Sequence, residues 1–183
     1  MKIGREILND LKVWKDNPGR KPLILQGARQ VGKTWILKHF GEQFFENTAY
    51  FNFDLQTEIK DFFEKTKDPV RIIEFLSIIN GRPILPGITL IIFDEIQECN
   101  AALNSLKYFN EEHPEYVIAG AGSLLGVALS RGSSFPVGNV EFHEMYPLTF
   151  KEFLSIADVA MYDYLNSLQR SEERRVGKEC RSR

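Results

Sequence analysis

Gly27-Ala28-Arg29-Gln30-Val31-Gly32-Lys33-Thr34 is the stretch on which the fold of this 183-residue chain turns. It fills the pattern GxxxxGK[ST] without a gap, and each element of that pattern has a physical reason. The glycines let the backbone turn tightly and approach an anion, so that successive N–H groups and the start of the next helix face phosphate. Lys33 then reaches the β- and γ-phosphates as a catalytic cation, and the Thr34 hydroxyl ligates Mg²⁺. Average residue usage gives such a match by chance in about half a per cent of chains this long. The flanks decide the matter further. Pro22 to Gln26 is a short apolar run of strand type, and Ile36, Leu37, Phe40 and Phe44 recur at helical spacing. Strand, glycine loop and helix in that order are the context the motif needs. All eight residues from Gly27 to Thr34 are therefore candidate nucleotide ligands, against the plainer reading of a glycine turn with no ligand.

Sixty residues further on, Ile88 to Phe93 is a continuous β-branched and aromatic run, the form of a strand covered on both faces. It delivers Asp94 and Glu95 at its C-terminal end, where open α/β sheets bind ligands. By itself an acid pair there is usually a strand-end turn. After a complete phosphate loop, Asp94 is expected to hold Mg²⁺ and Glu95 to act as the base that deprotonates the water attacking the γ-phosphate. The pair separates hydrolases from P-loop kinases, which transfer to a bound acceptor and need no such water base. Ser123 follows the apolar segment Tyr116 to Ala119 and is a third catalytic candidate, a sensor of the γ-phosphate or of the water, with helix capping as its plainer role. Arg131, in a loop beyond it, reads as a solvated arginine and not as a finger.

The remaining pattern alternates helix and strand and so implies an α/β parallel sheet. Ile7, Leu8, Leu11 and Trp14 mark an amphipathic first helix. Ala49 to Phe53 reads as a strand, Glu58 to Lys65 and Val70 to Ile79 as helices, the second opened by Pro69 at a favoured first-turn position. Leu103, Leu106 and Phe109 mark another helix, and Ser123 to Leu129 a short helix or turn. Val137 to Tyr146 reads as extended, and Thr149 caps a helix running to Ala157.

The last fourteen residues, RSEERRVGKECRSR from Arg170 to Arg183, differ from everything before them. They resemble the translation of a sequencing-adapter oligonucleotide and are expected to be non-native, which makes 1–169 one domain cut short at its C-terminus. Removing six basic and three acidic residues from totals of 23 and 25 leaves 17 against 22, a net charge of −5. Eight of those 17 lie in Met1 to Lys33. Positive charge thus gathers at the phosphate loop, without the broad basic face or the basic–aromatic interleaving that nucleic acid requires. Cys99 stands alone outside the tail, so there is no disulfide framework, and His39, His113 and His143 show no ligand spacing. No stretch approaches the roughly 20 apolar residues of a membrane span, and no signal peptide opens the chain. A cytoplasmic protein is expected.

GARQVGKT (Gly27 to Thr34), IIFDEIQ (Ile91 to Gln97), AGSLLGVALSRGSSFPVGNVEF (Ala121 to Phe142) and YPLTFKEFL (Tyr146 to Leu154), taken in order, resemble a family of bacterial and archaeal ATPases of the AAA type. Asn139 departs from the family pattern, which has a basic residue there. The resemblance implies a P-loop NTPase with an AAA-type core and an extra strand between the Walker A and Walker B strands. It also implies Glu95 as base, Ser123 as sensor, ATP and Mg²⁺ as cofactors, and a further C-terminal domain of uncharacterised role, expected to be absent from this chain. Expected partners are copies of itself or another protein, with nucleic acid left to the absent domain and no membrane. The function expected is Mg-dependent ATP binding and hydrolysis that drives a conformational change in that domain. The alternative is an ATP-gated regulatory or interaction module that does not hydrolyse, and a small-molecule kinase is a third reading, disfavoured by the acid pair.

Overall fold

The structure is a computed structural model that describes residues 5–123 and 138–168. It divides into two compact units, Ile7–Pro147 and the combination of Met1–Glu6 with Leu148–Arg183. The expectations for residues 124–137, Arg131 among them, and for the tail from Arg170 lie outside the described residues.

In the larger unit the order is α1 (Ile7–Asp16), β1 (Leu23–Gln26), α2 (Lys33–Phe44), β2 (Asn47–Asn52), α3 (Thr57–Lys65), α4 (Pro69–Asn80), β3 (Thr89–Asp94), a 3₁₀ turn (Ile96–Glu98), α5 (Asn100–Glu112), β4 (Val117–Gly122) and β5 (Glu141–Glu144). The helix boundaries follow local chemistry. Before α4, Asp68 accepts a hydrogen bond from the Val70 amide at 3.0 Å, Pro69 occupies the first turn, and Gly81 ends the helix at φ 69°.

The five strands among the described residues are all parallel, in the order β2-β3-β4-β1-β5. The extra strand expected between the phosphate-loop strand and the acid-pair strand is β4. Its sequence, VIAGAG, is small enough to be wedged there. A Cβ added at Gly120 would lie 3.3 Å from the Ile96 side chain, so glycine lets the turn after β3 pack directly onto β4. The segment read as extended contributes β5, parallel to β1 at the sheet edge.

Period-two alternation sends successive side chains to opposite faces. Leu23, Leu25, Leu90 and Ile92 join Leu11, Trp14, Ile36 and Phe40 of α1 and α2 in one core. Ile24, Ile91, Phe93 and Ile118 join Ile59, Phe63, Leu76, Leu106 and Phe109 of α3, α4 and α5 in the other. The second core is centred on rings: Phe93 has Phe53 at 5.4 Å, Phe63 at 5.7 Å and Phe51 at 6.3 Å, in tilted or edge-on geometry. Phe40, Phe51, Phe53, Phe63, Phe93 and Phe109 are buried, whereas Phe142, Phe150 and Phe153 are exposed.

The chain after β1 leaves to one face while the chain after β2 and β3 leaves to the other. Crevices at the carboxyl ends of open sheets form at such a reversal. Register brings those ends level, with Asp94 opposite Asn52 and Ala121, and Gln26 opposite Gly122.

The smaller unit contains α6 (Phe150–Ala157) and a helix at 159–168. Thr149 and Glu152 form a reciprocal capping box at the start of α6. Glu152 also accepts from the Glu6 amide at 3.0 Å and pairs with Arg5 at 3.2 Å, both side chains being buried. Among the described residues no helix is long and apolar enough to cross a membrane.

Candidate functional site

The loop between β1 and α2 begins at Gly27, where a side chain has no room: an added Cβ would fall 2.1 Å from the Met145 carbonyl oxygen. The Met145 amide donates to the Gln26 carbonyl at 2.7 Å, so the chain leaving β5 crosses directly over the root of the loop. Gln30 and Gly32 then take left-handed backbone, φ 64° and 94°. Glycine does this freely, whereas glutamine does so at a cost of about 1–2 kcal/mol. Gly32 supplies no capping side chain to α2, which leaves the first amides of that helix free to face an anion. Ala28, Arg29 and Gln30 are exposed, Val31 and Thr34 half-buried, and Lys33 buried.

The Lys33 ammonium donates to the carbonyls of Gly27 at 3.0 Å and Ala28 at 2.7 Å. Burial pulls its pKa below the ordinary lysine value, against the opposing pull of the Glu95 and Asp94 charges. Thr34 and Asp94, sixty residues apart in the chain, touch: the threonine hydroxyl lies 3.1 and 3.0 Å from the two carboxylate oxygens. A hydroxyl and a carboxylate side by side are hard oxygen donors, a set that suits Mg²⁺ and not a softer ion.

Asp94 is buried and accepts from three further groups: the Tyr50 hydroxyl at 2.7 Å, the Glu95 amide at 3.2 Å and, at the long limit of 3.5 Å, the Asn52 amide nitrogen. Burial pushes the Tyr50 phenol up to about 12, with the Asn52 side chain opposing and the Asp94 carboxylate adding to the rise. Glu95 takes left-handed backbone, φ 50°, at the exit of β3, a strained conformation of the kind that collects at functional sites. Its carboxylate accepts from the Gln97 side-chain amide. A carboxylate only accepts, so the Gln97 amide group must face it, which leaves the buried Gln97 carbonyl oxygen without a partner among the described residues.

A cleft of about 520 Å³ is lined by Arg29, Gln30, Gly32, Lys33, Thr34, Trp35, Asp54, Glu95 and Glu98. Such a volume is typical of a small-molecule site. A separate hollow of about 400 Å³ between α1 and β5 contains no residue of the glycine loop and neither Asp94 nor Glu95. Ser123 is buried directly after β4, one step beyond the Gly122–Gln26 pairing and thus level with the root of the loop. Asn139, the departure from the family pattern, accepts from Asn110 at 2.8 Å and donates to Glu111 at 3.3 Å, which ties it to the end of α5.

Tyr50, Asn52, Gln97, Trp35, Asp54 and Glu98 belong to this site and were not singled out from the sequence. Alternation within the strand run AYFNF places Tyr50 and Asn52 on one face, and that was the available signal.

Residues 19–154 match the sequence model of a family described as an AAA domain. In fold the chain is similar to a solved lysine-to-arginine mutant of RuvB from Thermotoga maritima, with a TM-score of 0.50 and 18% identity. The match covers 86% of this chain and 52% of that one, so the chain spans about half the length of RuvB. No curated protein matches.

Proposed function

The chain belongs to this AAA-domain family, and from that premise we propose that its cleft binds ATP with Mg²⁺ and hydrolyses it. The observation that carries the reading is the contact of Thr34 with Asp94 beside a buried Lys33 and an uncapped helix start. Loop amides and α2 amides hold the phosphates, and Lys33 exchanges two backbone carbonyls for phosphate oxygens, forming charge-assisted hydrogen bonds. Thr34 and Asp94 would hold Mg²⁺, which when bound neutralises charge developing on the β- and γ-oxygens. Glu95 takes a proton from water as the water oxygen bonds to the γ-phosphorus and the bond to the β–γ bridging oxygen breaks, releasing ADP. Ser123 contacts the γ-phosphate or that water.

The hydrolysis drives a conformational change in a partner or in a C-terminal domain of the whole protein, in the cytoplasm, with residues 1–169 as the ATPase part. Glu95→Gln is the test. It should bind Mg-ATP as the wild type does and turn it over about 10²–10⁴-fold more slowly. Unchanged turnover removes Glu95 as base. Tight binding by the wild type with no phosphate release in a single turnover would make the chain an ATP-gated module instead.

A further inference from the structure

Tyr50 is the residue in the cleft wall whose chemistry the hydrolytic scheme leaves unused. It stands on β2 opposite Ile92 of β3, and Asn52 stands opposite Asp94, so Tyr50 and Asp94 are diagonal neighbours on one face of the sheet. A phenol is long enough to span that diagonal, and its oxygen lies 2.7 Å from Asp94 Oδ2.

The direction of this hydrogen bond is set on both sides. The Asn52 amide nitrogen donates to the Tyr50 oxygen at 3.2 Å, and a carboxylate can only accept, so the single phenolic hydrogen is committed to Asp94. Over the ring itself, Lys38 of α2 places its ammonium 3.4 Å from the centroid, which holds the ring in place and draws electron density from the phenol.

Thr34 now donates to both oxygens of Asp94. Its hydroxyl has one hydrogen and turns its lone pairs toward any cation it ligates. Once it does so, the donors left to fix the carboxylate among the described residues are the Tyr50 hydroxyl and the Glu95 amide, with Asn52 at the long limit. A ligand oriented by a neighbour in advance loses less freedom when it takes up a metal ion.

We propose that Tyr50 is a positioning residue that presets the Asp94 carboxylate for the divalent cation, with Asn52 and Lys38 holding Tyr50 in turn. The inference rests on the Mg-nucleotide reading above and is tested separately from it. ADP is titrated into the full chain by calorimetry over a series of free Mg²⁺ concentrations and in EDTA, for wild type and Tyr50→Phe. The variant retains the ring and its Lys38 contact and loses only the hydroxyl.

The expected result is a Mg²⁺ midpoint raised about 10–100-fold, the usual cost of losing an outer partner of a metal ligand. Affinity for ADP in EDTA stays at the wild-type value. An unmoved midpoint overturns the inference, and so does an equal loss of affinity in EDTA, which would make Tyr50 structural. A wild type that ignores Mg²⁺, or does not bind ADP, overturns the underlying nucleotide reading and the inference with it. Only the wild-type titration reports on the former, so the two failures are told apart.

Discussion

Replacing Lys33 by methionine separates what this side chain does for the free protein from what it does for a ligand. The side chain is 7% exposed and its ammonium rests on two loop carbonyls, at 3.0 and 2.7 Å. Burial lowers its pKa, so the charge is held in the free protein at a net cost that Glu95 and Asp94 do not cancel. Methionine removes that desolvated charge and also forfeits two charge-assisted hydrogen bonds, opposing effects of about 1–3 kcal/mol each. The free variant should therefore melt within about 3 °C of the wild type.

The balance depends on pH in a known direction. Between its lowered folded pKa and the unfolded value of 10.5, the unfolded chain binds more protons at Lys33. Wild-type stability from this group therefore rises through that window. Whatever advantage methionine brings is complete below it and gone by its upper end.

With ligand present the two proteins diverge. At a hundredfold excess over Kd, Mg-ATP should stabilise the wild type by about 2.7 kcal/mol, about 5–11 °C for a chain of this size. Losing charge-assisted bonds to phosphate, worth about 1.5–3 kcal/mol, raises Kd about a hundredfold. At the same ligand concentration the gain then shrinks to about 0.4 kcal/mol, near 1 °C. Thermal melts with and without Mg-ATP, with Kd from calorimetry, make the measurement. A variant that keeps the full ligand-induced shift, or one whose free form collapses, refutes the reasoning.

Gln30→Gly relieves a left-handed glutamine at an exposed position and should stabilise the free protein by up to about 1 kcal/mol, since added chain entropy offsets part of the strain; a clear loss in denaturant melts would mean the side chain anchors the loop. Phe93→Ala empties the centre of the ring cluster and should cost about 3–5 kcal/mol in urea unfolding, whereas a loss under 1 kcal/mol would mean that the surrounding rings collapse into the space. Burial by itself would raise the pKa of Glu152, but hydrogen bonds from the Thr149 and Glu6 amides and the Arg5 charge outweigh it and hold the carboxyl below its ordinary 4.5. The stability it contributes is complete above that value and lost as pH falls through the lower folded one. Glu152→Gln should thus cost about 3 kcal/mol at pH 7, and the gap between variant and wild type should close in strongly acid solution; a gap independent of pH would assign the effect to packing.

Much of the site was legible because its chemistry is contiguous. Gly27, Gly32, Lys33 and Thr34 fall within eight consecutive residues, and the run to Phe93 announces a buried strand whose exit carries Asp94 and Glu95. Helix ends at Pro69 and Thr149 were legible for the same reason, since capping involves residues within one turn of each other. The position of β4 between the two motif strands followed from resemblance and not from any property of VIAGAG itself.

The residues alone therefore determined the strand–loop–helix unit, the acid-pair strand and the α/β class. Tertiary structure alone decided the register that sets Asn52 opposite Asp94, the reach of Tyr50 to that carboxylate, and the crossing of Met145 over Gly27. It also decided the pairing of Arg5 with Glu152 across most of the chain. The physical reason is that strand pairing is non-local: a slip of one residue exchanges the faces of a strand, and only packing on both sides of the sheet selects among the registers.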